Sequence, residues 1–402
     1  MSKHHVRSSS QSLPTVPGTK IYYLVFLVIV TVLNISFFLG FGNYTYHVQC
    51  STDTIVEVLS LYIAKNGEAT LRNLMPQQCS ATGDETESKL KNSITGLIDT
   101  CRITQRETEV DLRVKSKPTV TLITTFADHL HADGEKIIVH NNTLVNWAKF
   151  RPFVKLVLFS NDTFWIKIAK SHGWDVIPVA DGNDGKKPPV LKEMMQSAMN
   201  LHKTQWYGYI NADILLTSDL ISNIVSLSKK YDVSKTRILF TGRRTNVNNF
   251  TTIDPTSDKS IRYHANRFGS LYTEDAEDFF ITTKTFPWDK ILPVVIGRPG
   301  YDNWLVGESR CKLNTTVIDV TETFLALHQT TLKGGNSEGH FHEGGDYNIK
   351  LLKKNDVVPN FLAGLTDCIY FKTYYTFCDI VEISQRHEFG PACACNKAKP
   401  KR

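Results

Sequence analysis

Three short segments hold residues whose types and placing suit chemistry. The run Tyr207-Gly208-Tyr209-Ile210-Asn211-Ala212-Asp213-Ile214-Leu215-Leu216 is an apolar strand that ends on a carboxylate, Asp213. Ligands of open α/β sheets bind beyond the carboxyl ends of the strands, so Asp213 is placed to hold a hard cation and a diphosphate. Asn211, two residues earlier, offers an amide oxygen that can ligate a cation but adds no charge. In Ile296-Gly297-Arg298-Pro299-Gly300-Tyr301-Asp302-Asn303-Trp304-Leu305 a glycine-proline turn feeds a helix that starts on an acid. Asp302 is there a candidate general base for a hydroxyl that approaches the turn. His328 ends the apolar run Phe324-Leu325-Ala326-Leu327, and its imidazole would supply the ligand that Asn211 withholds. Each has a plainer reading: a turn aspartate, a helix-capping Asp302 paired with Arg298, and a structural histidine. His340-Phe341-His342-Glu343 has metal-binding spacing but lies among glycines and reads as a surface loop.

These residues need a sheet to carry them. Apolar, β-rich runs at Val120 to Thr125, Val154 to Phe159, Asp175 to Val179, Trp206 to Ile210 and Ile238 to Thr241 recur at about the length of a βαβ unit. Helical patterns lie between them at Trp165 to His172 and Pro188 to His202. The alternation predicts an α/β fold with a mainly parallel, doubly wound sheet. Asp278 to Thr283 and Thr316 to Val320 read as later strands, Ser218 as a helix N-cap and Asp219 as its first-turn acid. After about Asp346 the pattern gives way to an aromatic, cysteine-rich tail expected to wrap the domain under disulfides.

Taken in order, the Asn-Ala-Asp strand end, Thr241-Gly242-Arg243-Arg244, the acidic pair in Ala276-Glu277-Asp278-Phe279-Phe280, the Arg298-to-Leu305 turn and Leu325-to-Gln329 resemble glycosyltransferases with the GT-A fold. The resemblance covers roughly residues 119 to 348, and Asn211 departs from it by replacing the first acid of the metal motif. It implies a Rossmann-like sheet, a nucleotide-sugar donor and Mn2+ or Mg2+. Asp213 then corresponds to the metal-binding acid, Asp302 to the acid of the helix holding the base, and His328 to the C-terminal histidine ligand. Thr124, Thr125 and Asp162, at the ends of earlier strands, fall where such enzymes hold the base and ribose. Lys192, Arg243 and Arg298 are candidates for phosphate or an acidic sugar, against the plainer reading of solvated surface charge.

The 402 residues suffice for one large domain with accessory segments. A net charge of +6 without a basic stripe excludes a nucleic-acid footprint. Ile21 to Phe41 is an uncharged apolar run of about the length that crosses a bilayer. Lys3, Arg7 and Lys20 precede it and Asp53 and Glu57 follow, which places the N-terminus in the cytosol and the rest in the secretory lumen. Sequons at Asn43, Asn141, Asn161, Asn249 and Asn314 and all 8 cysteines follow the span. Cys393 and Cys395 are too close to favour bonding each other, so each is expected to pair elsewhere.

The expected organisation is a tail at 1–20, a transmembrane anchor at 21–41, a lumenal helical stem at 42–117, a catalytic domain at 118–348 and a C-terminal tail at 349–402. The stem's apolar faces need a partner, either the catalytic domain or a second copy in a homodimer. The expected function is metal-dependent transfer of a sugar to a hydroxyl of a glycan, glycoprotein or lipid, in the Golgi, by inversion if Asp302 is the base. The rivals are a nucleotidyltransferase and a non-catalytic glycan-binding or scaffold protein.

Overall fold

The structure, a computed structural model, describes residues 48–49, 80–81, 118–130, 132–179, 188–248, 250–332, 344–357, 359–376 and 379–395. The apolar run at 21–41, the stem helices, Cys50, Cys79, Cys101, Cys378 and the 340–343 segment lie outside the described residues. Among those described, no helix is long and apolar enough to cross a membrane. The chain divides into two units, Met1–Thr100 and Cys101–Arg402. In the first, β1 (Val48–Gln49) pairs antiparallel with β2 (Ser80–Ala81).

The second unit begins β3 (Val120–Thr125), α1 (Gly134–Ala148), β4 (Val154–Phe159), α2 (Thr163–Ser171), β5 (Asp175–Ile177), α3 (Leu191–Leu201), β6 (Trp206–Ile210), β7 (Ile214–Leu216). It continues through α4 (Asp219–Lys230), β8 (Ile238–Thr241), β9 (Arg244–Val247), α5 (Asp258–Phe268), β10 (Ser270–Leu271) and β11 (Phe279–Thr283). Last come α6 (Asp302–Cys311), β12 (Thr316–Asp319), β13 (Ala326–Gln329), α7 (Tyr347–Lys354), β14 (Phe371–Tyr375) and β15 (Val381–Gln385).

The large sheet has the order β15-β14-β12-β8-β11-β6-β3-β4-β5. Its β3, β4, β5 and β6 are mutually parallel, as the βαβ spacing predicts. The chain builds outward from β3 to β5, then crosses back so that β6 pairs with the other side of β3. The gap above β3 and β6 is therefore the point where strand order reverses, and α/β sheets bind ligands there. β11 runs antiparallel between β6 and β8. The tail completes the sheet, with β14 parallel to β12 and β15 antiparallel to β14. Together these elements make a mixed α/β, Rossmann-like fold.

A smaller sheet, ordered β10-β9-β13-β7, starts where β6 ends. β13 runs antiparallel to β7 and parallel to β9, so His328 lies opposite Ile214 on one side and Asn246 on the other. This register carries the histidine to the strand end that holds Asp213.

The inner strands of the large sheet, among them β6, β8 and β11, are buried along their length, which explains strands that read as continuous apolar runs. Alternate residues of β3 divide between two cores: Leu122 packs with Trp147 of α1 and Trp165 of α2, Ile123 with Met194 and Met195 of α3. Gly208 has a steric cause, since a Cβ there would lie 2.7 Å from Cγ1 of Ile281 and 2.9 Å from Cδ2 of Leu122. Asp133 and Asp162 cap α1 and α2 through their side chains. Ser218 occupies the N-cap of α4 without a side-chain bond, whereas Asp219 is a buried hub for Arg262 (2.6 Å), the Tyr375 hydroxyl (2.7 Å) and the Leu325 amide (3.2 Å).

Disulfide Cys311–Cys395 fastens the tail to the end of α6 and Cys368–Cys393 closes a loop within the tail, so neither cysteine of the close pair bonds the other. Beside them, the Arg310 guanidinium donates to the carbonyls of Ala363 and Cys368 at 2.8 Å and also to that of Cys393.

Candidate active site

The loop from Asn211 to Asp213 is fixed from several directions. The Thr143 hydroxyl of α1 donates to the Ala212 carbonyl (2.7 Å), and the Trp147 indole N–H donates to that of Ile214 (2.9 Å). From β13, the Gln329 amide donates to the Asp213 carbonyl at 2.9 Å. The backbone path is thus set by α1 and β13, and the Asp213 carboxylate takes no part in it.

Oδ2 of Asp213 lies 3.2 Å from Nε2 of His328, while its Oδ1 is buried with no hydrogen-bond partner. Burial pushes this carboxyl up, but the His328 contact and the nearby Arg244 guanidinium outweigh it and hold Asp213 below the usual carboxylate range. Nδ1 of His328 lies 2.8 Å from the Thr330 hydroxyl, a contact that sets the ring orientation. A carboxylate oxygen facing an imidazole nitrogen must have a proton or a cation between them. The unpartnered Oδ1 is a further uncommitted ligand oxygen, so the pair fits a divalent ion that would complete its coordination with phosphate oxygens and water.

Asn211 is engaged at both ends of its amide. Its Nδ2 donates to Oδ1 of Asp278 at 2.7 Å, and its Oδ1 accepts from the hydroxyls of Tyr209 (2.9 Å) and Tyr301 (3.5 Å). An acid in its place would face the Asp278 carboxylate; the amide donates to it instead. Asp278 is neutralised on its other oxygen by Arg244 at 2.5 Å, and that guanidinium stacks over Tyr272 with 4.6 Å to the ring centroid.

Asp302 opens α6 and accepts from the Asn303 amide at 2.9 Å. It has no ion-pair partner among the described residues, and Arg298 donates to the Gly297 carbonyl at 2.8 Å. Burial drives Asp302 up to about 7, with the negative charges of Asp278 and Asp275 adding to the rise and the Asn303 amide opposing it. A half-buried carboxyl that titrates near neutrality is matched to general-base work. Glu277 lies beside it, 1% exposed and pushed well above its ordinary value by burial and then by Asp302.

The other candidates divide. Thr124 at the end of β3 is fully buried, and its hydroxyl has no partner. Thr125 donates to the Phe159 carbonyl at 2.8 Å, tying β3 to β4. Asp162 accepts from the amides of Phe164 (2.9 Å) and His129 (2.7 Å) and from the His129 ring. With Asp128, these two residues place three potential ligand atoms within 4.8 Å of one another, a second arrangement able to hold a cation. Lys192 is bonded to the Asp289 carbonyl at 2.7 Å. The Arg243 Nε donates to the Tyr272 carbonyl at 2.6 Å.

The residues passed over as site groups in sequence, Tyr209, Arg244, Glu277, Asp278, Tyr301 and Thr330, form most of the polar surroundings of Asp213 and Asp302. In sequence, Glu277 and Asp278 show as an acidic pair, Arg244 lies in the double-arginine segment and Tyr301 in the Arg298-to-Leu305 turn. Arg244 rather than Arg243 turns to Asp278 because neighbouring strand residues point to opposite sides.

No family model and no curated protein matches the chain. Among solved structures it is similar to CMP:2-keto-3-deoxy-manno-octonic acid synthetase complexed with CTP, at TM-score 0.30 and 9% identity over 60% of this chain and 100% of that one. It is also similar to glucosyl-3-phosphoglycerate synthase from Mycobacterium tuberculosis in complex with Mn2+, UDP and phosphoglyceric acid, at TM-score 0.27 and 14% identity over 54% and 72%. A third is 4-diphosphocytidyl-2C-methyl-D-erythritol synthase from Anaerococcus prevotii, at TM-score 0.23 and 12% identity over 42% and 71%.

Proposed function

We propose that this chain is a glycosyltransferase that moves a sugar from a nucleotide-sugar donor to a hydroxyl of a glycan, glycoprotein or lipid, with Mn2+ or Mg2+ held by Asp213 and His328. One observation carries the reading. At the point where the sheet reverses strand order, Asp213 meets His328 and keeps a buried carboxylate oxygen without a partner. A bound divalent ion there supplies neutralisation of the departing diphosphate.

The chain's own residues do the rest. Asp302 accepts the proton of the acceptor hydroxyl as its oxygen bonds to the anomeric carbon and the bond from that carbon to the diphosphate breaks. Attack from the face opposite the leaving group inverts the anomeric centre. Arg244 and Asn211 keep Asp278 from acting as a second uncompensated charge beside Asp213. The apolar run at 21–41 and its flanking charges support a single-pass type II protein of the Golgi membrane.

Calorimetric titration with Mn2+ and a panel of nucleotide sugars tests the site. The parent protein should bind one nucleotide sugar only with the ion present, and Asp213→Ala should abolish that binding while the protein stays folded. His328→Ala, which removes a ligand, should weaken Mn2+ affinity as well. Glycan binding without nucleotide affinity would instead identify a binding module, and turnover of a nucleoside triphosphate with a sugar phosphate a nucleotidyltransferase.

A further inference from the structure

Glu277 is buried with too few partners for a charged group. It lies just before β11, where its backbone bridges to Arg243, and only 1% of it is exposed. Oε2 accepts from the Asn303 side-chain amide at 2.7 Å, while Oε1 is buried with no partner. The charged groups that face it are Asp302 from α6 and Asp275 and Asp278 from its own segment. The nearby cations are committed elsewhere, Arg243 to the Tyr272 carbonyl and Arg244 to Asp278. A carboxylate buried among three acids and without a cation is costly, whereas a neutral carboxylic acid is tolerable and gains a proton to donate.

Asn303 ties this group to the proposed base. Its backbone N–H donates to Oδ1 of Asp302 at 2.9 Å and its side-chain amide to Oε2 of Glu277 at 2.7 Å, so one residue holds both carboxyls. Of the acids around Glu277, Asp302 acts on it most strongly.

We propose that Glu277 is a positioning residue for Asp302: a neutral acid whose Oε2 accepts from the Asn303 side chain and so fixes Asn303, the residue whose backbone N–H holds Asp302 aimed at the acceptor hydroxyl. The proposal rests on Asp302 being the base, and it adds a second carboxyl that never needs to ionise during turnover.

The test uses the full chain, isotope-edited infrared spectra of 13C-labelled Glu carboxyls, and kcat against pH for Glu277→Ala and Glu277→Gln. At pH 7 the parent should show a protonated Glu carboxyl band that Glu277→Gln removes. Glu277→Ala should lower kcat by about 10²-fold, the effect of misplacing a reacting group, with the donor KM unchanged. Its acid limb should move up by about one pH unit, because Asn303 is no longer held where its N–H stabilises the charge of Asp302. Glu277→Gln, whose amide oxygen can accept from Asn303 in place of the acid, should restore most of the lost turnover and return the limb.

Absence of the protonated band in the parent would overturn the proposal. So would an Ala variant that loses melting temperature but keeps the parent's acid limb, or a Gln variant as impaired as Ala. The infrared band is read without turnover, so it reports on Glu277 even if Asp302→Asn proves fully active and the base assignment fails.

Discussion

A base that titrates near neutrality must be held in the fold at a cost, and Asp302 shows how. Its pKa of about 7 against an ordinary 3.8 means that the folded state binds a proton which the unfolded chain releases. The stability of the protonated form is fully present below about pH 4 and is lost as pH rises towards 7, beyond which the penalty is complete. Asp302→Asn removes the ionisation and keeps the side-chain shape. The variant should therefore melt at a higher temperature than the parent at pH 8 and at nearly the same temperature at pH 4. Activity should move the other way: kcat/KM of the parent falls about tenfold per pH unit below 7, and the Asn variant loses roughly 10² to 10⁴ in turnover with metal and donor affinity intact. Calorimetry and initial rates across pH check both halves. Full activity in Asn, or equal melting temperatures at pH 8, removes Asp302 from the mechanism.

At the scale of elements, the inner strands and the helices α2 and α3 are legible in the sequence, and α1 is not. β3, β4, β6 and β8 fall on the residues that their apolar runs mark, because strands buried on both faces need unbroken β-branched and aromatic sequence. The direction of β11 was not legible, since an antiparallel strand between β6 and β8 has the same pattern as a parallel one. α1 lacks a clean amphipathic pattern because two of its inner positions are polar. Thr143 and Asn146 occupy buried positions on its inner face, where an amphipathic pattern calls for apolar residues, because they bond the backbone of the Ala212 and Leu216 segment. β6 shows the reverse, a small residue whose need is visible only in three dimensions. In Gly208→Ala the new methyl must displace Ile281 or Leu122, and overpacking of this kind costs about 1–3 kcal/mol. Adding Ile281→Val should recover part of the loss in denaturant melts, since the two sites touch. A silent Gly208→Ala would mean that β6 has room to move, and with it the loop that holds Asp213.

Over the whole molecule, the tail and the N-terminal run argue for one compartment from opposite ends of the chain. Cys311–Cys395 closes a loop of 84 residues in sequence and Cys368–Cys393 one of 25, so the first constrains the unfolded chain more. Cys311→Ser with Cys395→Ser should cost about 3–5 kcal/mol in a denaturant melt, and somewhat more than the other pair. Bonds of this kind form and persist in the secretory lumen and are rare in the cytosol. The proposed lumenal placement rests also on Lys3, Arg7 and Lys20 before the apolar run at 21–41 and Asp53 and Glu57 after it. The sequons sharpen the test. Asn141 and Asn314 are exposed, whereas the Asn161 amide is paired in both directions with the backbone of Val179 at 3.0 Å. In microsomes, added protease should trim only the short N-terminal tail, and glycosidase should lower the mass of the protected fragment. Asn141→Gln and Asn314→Gln should each remove one glycan-sized step, and Asn161→Gln should remove a smaller share than either, because its amide is taken up as the domain folds. Digestion of the large fragment in intact microsomes, or a chain without glycans at every sequon, would place the domain on the cytosolic side and leave its disulfides without an oxidising compartment.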